Sequence, residues 1–154
     1  MTFTVRDAAP ADASTIADFN NRLAEETEAR TLAPERIGAG VSALLADPSK
    51  GRYWVAVSSN KIIGQIGVSY EWSDWRNGML WWIQSVYVHE DHRRKGIYSS
   101  LYRYVESQAR SDPDVIGVRL YVEKDNERAQ STYENLGMNK THYQIMQTLF
   151  ESEE

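Results

Sequence analysis

The sequence predicts an α/β fold: a mixed, largely antiparallel sheet flanked by helices and built around a central strand-loop-helix unit. Three observations predict it. Six short runs alternate apolar and polar residues at the strand period and four recur at the helical period, interleaved in an order that is neither strictly alternating nor segregated. Two of the strand runs are joined by Ser59-Asn60-Lys61, a hairpin connection. Residues 83–101, IQSVYVHEDHRRKGIYSSL, pass from an apolar strand through a turn with three consecutive cations and a glycine into a helix.

In chain order, Thr2 to Arg6 alternates around Phe3 and Val5 and reads as a strand. Pro10 opens a helical pattern carried by Ile16, Phe19 and Leu23, with the acidic residues Glu25, Glu26 and Glu28 at or beyond its end. Pro34 starts a second helix whose stripe of Ile37, Val41, Leu44 and Leu45 is stopped by Asp47-Pro48. Residues 52–58 and 62–71 form the hairpin, and Gly64 and Gly67 within it point to a bulge or a close backbone approach. Residues 80–88 make a third long strand, 96–110 a helix ended by Ser111-Asp112-Pro113, and 118–122 a strand that should run parallel to 80–88. A short helix from Asp125-Asn126 to Gly137 and a last strand over 143–150 complete the order, with the final residues 151–154 expected to fray.

Composition narrows the function. A chain of 154 residues suits one domain spanning 1–154. Seventeen Lys plus Arg against 22 Asp plus Glu give a net charge of −5, which disfavours a nucleic-acid partner. No apolar run is long enough to span a membrane and the N-terminus lacks a secretory pattern, so a cytoplasmic location is expected. The absence of Cys removes a cysteine nucleophile, and His89, His92 and His142 lack metal-site spacing, so no metal is expected.

The chemistry starts at the central junction. The first N–H groups of a helix have no intrahelical partner, its dipole is positive there, and a glycine lets an oxyanion approach the main chain. Arg93, Arg94 and Lys95 add full charges, so a phosphate or pyrophosphate is the expected ligand. Neither the Gly-x-x-x-x-Gly-Lys-Ser/Thr spacing nor Gly-x-Gly-x-x-Gly is present, which leaves nucleoside triphosphatases and dinucleotide dehydrogenases without their markers.

The junction does carry Arg93-x-x-Gly96-x-Tyr98, and further on the chain reads Asn126-x-x-Ala129-x-x-x-Tyr133-x-x-x-Gly137-Met138. In these two motifs and in element order the sequence resembles the Gcn5-related N-acetyltransferase (GNAT) superfamily, with Tyr98 where that family has a small residue. The resemblance implies acetyl-CoA as cosubstrate. Val86, Tyr87 and Val88 would pair with its pantetheine arm, and the N–H groups of Arg94, Lys95, Gly96, Ile97, Tyr98 and Ser99 would hold the pyrophosphate beside the Arg93 side chain. A main-chain N–H near Tyr87 or Val88 would hold the thioester carbonyl. Asn126 and Ala129 would contact the cofactor, and Tyr133 would protonate the departing thiolate. At about 100° per residue Asn126, Ala129 and Tyr133 share one helix face.

Some polyamine acetyltransferases of the superfamily carry Glu where this chain has Gln84, which cannot usefully accept a proton. The general base is therefore sought at Glu71 and Glu26, ahead of Asp74, Glu25 and His89. Trp72, Trp75 and Trp82, with Gln84 and Glu25, are the expected acceptor-binding residues, since aromatic faces and carboxylates suit a cationic amine. The function expected is acetyl transfer to a primary amine of a small molecule by direct transfer in a ternary complex. A protein or peptide N-acetyltransferase and a catalytically inactive CoA-binding domain stay open as alternatives, as does a homodimer.

Overall fold

The computed structural model describes residues 2–151, so most of the expected frayed end, 152–154, lies outside the described residues. By its internal contacts the chain falls into two compact units, residues 1–120 and 121–154. The first holds strands β1 (Thr4–Asp7), β2 (Arg52–Ser58), β3 (Lys61–Ser73), β4 (Gly78–Val88) and β5 (Val115–Leu120), with helices α1 (Ala13–Glu28), α2 (Pro34–Ala46) and α3 (Ile97–Ser111). The second holds α4 (Glu127–Asn135) and a tail without helix or strand among the described residues.

The sheet order is β1-β2-β3-β4-β5, antiparallel throughout except for the parallel β4–β5 pair. The β2–β3 hairpin closes on Ser59 and Asn60 with φ of 50° and 63°, the two positive values that a tight twisted hairpin requires. Strand alternation sends Tyr53 and Val55 to one face, where they form a core with Ile16 of α1 and Val41 of α2. It sends Trp54 to the other face, against Tyr104 of α3 and Trp81 of β4. On that face Gly64 leaves room for α3, since a Cβ there would stand 3.3 Å from Leu101 and 3.4 Å from Ile97.

Two expected strands differ. The strand expected at 118–122 lies at Val115–Leu120, because its pairing begins at Met79↔Val115 and ends at Ile83↔Leu120, where β4 itself changes course. Residues 143–150 form no strand and belong to no sheet among the described residues. Alternation alone does not make a strand, which needs a neighbour's N–H and C=O groups.

Candidate active site

The change of course in β4 is a bulge. Gln65 pairs with Tyr87 and Gly67 with Gln84, so Ser85 and Val86 face the single residue Ile66. Ser85 takes the extra turn with φ of 52°, left-handed for a residue with a Cβ. The bulge resets the alternation, so Gln84 and Tyr87, three apart, point to the same face as Gln65. That face carries α1.

The bulge has a second consequence. Beyond Ile83 no β5 residue pairs with β4, so among the described residues no strand pairs with Gln84 to Val88 on that side. The His89 N–H is donated to Ile63 O at 2.8 Å, which puts the Tyr87 main chain toward β3 and turns the N–H groups of Val86 and Val88 outward. Of the three residues expected to pair with an extended ligand, two offer their main chain and Tyr87 spends its own inside the sheet.

At the end of this edge the chain enters α3. Arg94 and Gly96 have φ of 63° and 78°, a sharp turn of the main chain, and a Cβ built on Gly96 would meet nothing within 4 Å. The first ladder bond of the helix is Ser100 N–H to Gly96 O at 3.0 Å, so the helix itself does not use the N–H groups of Gly96 to Ser99. Arg94 and Lys95 are exposed beside them, and Tyr98 is half-buried. This helix start, flanked by two cations, fits a pyrophosphate.

Arg93 has a different duty. Its Nε donates to Val88 O at 2.9 Å, its Nη2 to Glu26 Oε1 at 2.8 Å, and its guanidinium lies 5.3 Å from the Tyr87 ring centre. Tyr87 Oη donates to the other carboxylate oxygen, Glu26 Oε2, at 2.5 Å. The last turn of α1 is thus tied to β4 and to the cationic loop through one carboxylate. Burial pushes the Tyr87 hydroxyl up, and the Glu26 carboxylate it binds adds to this, to about 12. Burial opposes the charge on Glu26, but the Tyr87 hydroxyl and Arg93 outweigh it and hold the carboxyl below its ordinary range. With both oxygens engaged and a lowered pKa, Glu26 is suited to bracing rather than to taking a proton at neutral pH.

The alkaline limb of stability follows from the Tyr87 shift. A proton held more tightly in the folded chain than in the unfolded one stabilises below pH 10, and that contribution is lost as pH rises from the ordinary tyrosine value of 10.0 toward about 12. Urea unfolding across pH 9 to 12 should therefore show a steeper alkaline loss in the native chain than in Tyr87→Phe; equal slopes would contradict the assignment.

Beneath the bulge runs a buried polar chain. Gln65, fully buried, donates from Nε2 to Asn20 Oδ1 at 2.9 Å and to Ser85 O at 3.1 Å, while Asn20 Nδ2 donates to Tyr53 Oη at 3.2 Å. Sequence reading missed Asn20, Gln65 and Ser85. A polar residue within an apolar run was visible at Gln65, and Gly64 and Gly67 marked the irregular region.

On the α1-side face next to the bulge, Gln84 Nε2 donates to Ser69 Oγ at 3.0 Å. Glu71 Oε1 accepts from Trp82 Nε1 at 2.9 Å and from Arg119 Nη1 at 3.2 Å. These side chains make a part-exposed polar strip. Trp72 and Trp75 stand elsewhere, exposed at the tip of the β3–β4 hairpin. The Trp72↔Met79 pair is five residues from Gly67↔Gln84, roughly 17 Å along the strands. They are not beside the bulge, whereas Trp82 and Gln84 are. Trp81 is core, and Glu25 is exposed in the last turn of α1.

In the second unit, Asn126 caps α4 by accepting the Ala129 N–H on Oδ1 at 3.0 Å. The helix ends in a Schellman motif: Met138 N–H to Tyr133 O at 3.0 Å and Gly137 N–H to Glu134 O at 3.0 Å, with Gly137 at φ 104°. Asn126, Ala129 and Tyr133 share one face, as their spacing requires, and Tyr133 is half-buried. No group of His, Cys, Asp and Glu among the described residues is arranged to hold a metal ion.

Comparison with known proteins agrees with this architecture. A solved structure described as a possible acetyltransferase from Clostridium difficile 630 is 43% identical and covers 99% of this chain and 100% of its own, with a TM-score of 0.93. A predicted acetyltransferase from Clostridium acetobutylicum, solved with acetyl-CoA, is 18% identical over 99% of this chain and 100% of that one, with a TM-score of 0.79. The ribosomal-protein-alanine N-acetyltransferase of Brucella melitensis biovar Abortus 2308 is 17% identical over 97% and 100%, with a TM-score of 0.77. At such identities the last two show the fold alone. No curated protein matches the chain in sequence. The family model of the Acetyltransferase (GNAT) family matches residues 15–138, taking in both motifs, the bulged strand and the anion cradle. The chain belongs to the acetyltransferase (GNAT) family.

Proposed function

We propose that the protein transfers an acetyl group from acetyl-CoA to the primary amine of a small molecule, directly, within a ternary complex. The observation that carries this reading is the open main-chain edge of β4, from the bulge at Ser85 to the donor cradle at Gly96. An extended amide-bearing arm can add to Val86 and Val88 as a strand would, while its pyrophosphate meets the N–H groups of Arg94 to Ser99 and the charges of Arg94 and Lys95. Arg93, Glu26 and Tyr87 hold that loop against α1. In this reading the N–H of Val88 polarises the thioester carbonyl, which gains negative charge as the amine attacks.

The acceptor amine must be uncharged to attack, and it loses a proton as the amide forms. In this reading Glu71 receives that proton through water, its Oε2 standing outside both of its contacts. Gln84 and Trp82 orient the acceptor, with Glu25 adding attraction for a cation. Tyr133 gives its proton to the leaving thiolate, and Asn126 and Ala129 contribute to the cofactor side. One family model running across residues 15–138 supports both units acting as a single domain. Direct transfer accords with a chain that has no cysteine to carry an acyl group. A cytoplasmic protein is the corresponding expectation; no helix among the described residues is long and apolar enough to cross a membrane.

The test is release of CoA thiol from acetyl-CoA across a panel of polyamines, aminoglycosides and peptides. Turnover with small amines and intersecting initial-velocity lines are expected. Turnover only with peptides would replace the substrate class, parallel lines would replace direct transfer, and acetyl-CoA binding without any turnover would leave a binding domain.

A further inference from the structure

The polar strip beside the bulge carries a charge pattern that a simple cationic acceptor does not explain. Strand pairing puts Gly67, Ser69 and Glu71 of β3, Leu80, Trp82 and Gln84 of β4, and Gly117 and Arg119 of β5 on one face of the sheet. Glu71 and Arg119 are the charged members of this set, one of each sign, and they pair at 3.2 Å between Oε1 and Nη1. A strip selected to attract an ammonium group alone needs the carboxylate and not the cation, which repels the same ligand.

Arg119 is also held in place more firmly than a surface ion pair requires. Its side chain is 23% exposed against 46% for Glu71. It stands in register with Trp82, and its guanidinium lies 6.0 Å from the Trp82 ring centre. A guanidinium is a planar fork that matches a carboxylate with two parallel N–H bonds. Here a single N–H goes to Glu71 Oε1, the same oxygen that accepts from Trp82 Nε1 at 2.9 Å. The fork is therefore not saturated by Glu71, and Glu71 Oε2 takes part in neither bond. An unsaturated cation and an uncommitted carboxylate oxygen stand side by side on the face where the acceptor is expected.

We propose that Arg119 sets the class of the acceptor: the amine that is acetylated carries a carboxylate on the adjacent carbon, as an α-amino acid does. Its ammonium meets Glu71 Oε2 and its carboxylate meets the remaining Arg119 N–H groups, so the zwitterion lies along the protein's ion pair with the signs reversed. A polyamine would set a second cation against Arg119. An amine without a carboxylate would displace water from the guanidinium and give it no partner. The proposal rests on the acetyl-transfer reading and narrows its acceptor. As the C–N bond to the acetyl carbon forms, the C–S bond of acetyl-CoA breaks. Of the two protons the ammonium loses, one passes through water and Glu71 to solvent, and the other balances the proton that Tyr133 gives to the CoA sulfur.

The test compares acceptors that differ only at this group: a panel of L-α-amino acids, each beside its carboxamide and the amine left by its decarboxylation. For the best amino acid kcat/KM should exceed that of either analogue by about tenfold or more, chiefly through KM. Arg119→Gln should lower this acid-to-carboxamide ratio by about tenfold, and Arg119→Lys should restore part of it, a change of selectivity that a purely structural arginine would not produce. Calorimetry on the native protein saturated with CoA reads the acceptor site without turnover, and the amino acid should bind about tenfold more tightly than its carboxamide. Analogues used or bound as well as the amino acids, or a ratio that Arg119→Gln leaves unmoved, would overturn the proposal while acetyl transfer stands. Acetyl-CoA binding with no turnover of any amine would end the acetyl-transfer reading and this proposal with it.

Discussion

Tyr133→Phe is expected to lower kcat by about 10²-fold or more while leaving acetyl-CoA affinity unchanged, the signature of a general acid removed with its ring left in place. The leaving thiolate of CoA must collect a proton, and the phenol is the donor proposed for it. Phe preserves the side chain's volume in the last turn of α4, and the main-chain bond from Met138 N–H to Tyr133 O is untouched, so helix and cap should persist. The measurement pairs steady-state kinetics with calorimetric binding of acetyl-CoA. A large loss of affinity with turnover intact would assign Tyr133 to binding instead. Gly137→Ala makes a useful comparison: with φ of 104° the cap is strained by any Cβ, which should cost about 1 kcal/mol and disturb the turn that carries Tyr133.

Gln65→Leu is expected to destabilise the fold by about 1–3 kcal/mol and to raise the KM for acetyl-CoA about tenfold. Leucine keeps most of the volume but supplies no N–H, so Asn20 Oδ1 loses its donor in the interior and Ser85 O loses the bond that steadies the bulge. Part of the cost is offset, because Gln65 Oε1 is itself buried without a partner among the described residues. Ser85 holds a left-handed φ of 52°, and a strand released from that constraint can close the edge that the cofactor needs. Urea unfolding gives the first number and initial rates the second. Lost stability with a native KM would confine the buried chain to the core and detach it from the site.

Glu26→Gln separates bracing from proton transfer. Glutamine can still accept the Tyr87 hydroxyl but carries no charge for Arg93. Acetyl-CoA binding should weaken severalfold with the pH profile of kcat unmoved, whereas loss of the acidic limb from that profile would restore Glu26 as the base.

Much of the fold was legible because its cues are local. Pro34 and Asp47-Pro48 bound α2, the Ser59-Asn60 turn closes β2 onto β3, and the cationic loop with Gly96 announces the start of α3. The two motifs resemble those of the family whose model matches residues 15–138. The sequence could not show that Arg93 is committed to Glu26, sixty-seven residues away, since three adjacent cations look alike until one of them finds a carboxylate. Nor could it separate Trp72 and Trp75, at a hairpin tip, from Trp82 beside the bulge, because residues adjacent in number can lie far apart along paired strands.

The sequence by itself carried the resemblance to the family and the order of elements from the first strand to α4, which rest on cues between residues near in the chain. Only the tertiary structure decided that β4 is bulged at Ser85, that Gln65 and Asn20 support the bulge, and that Val86 and Val88 rather than Tyr87 face outward. The tail depends on the same distinction. Its alternation is written in residues 143–150, but a strand exists only with a neighbour to share its hydrogen bonds.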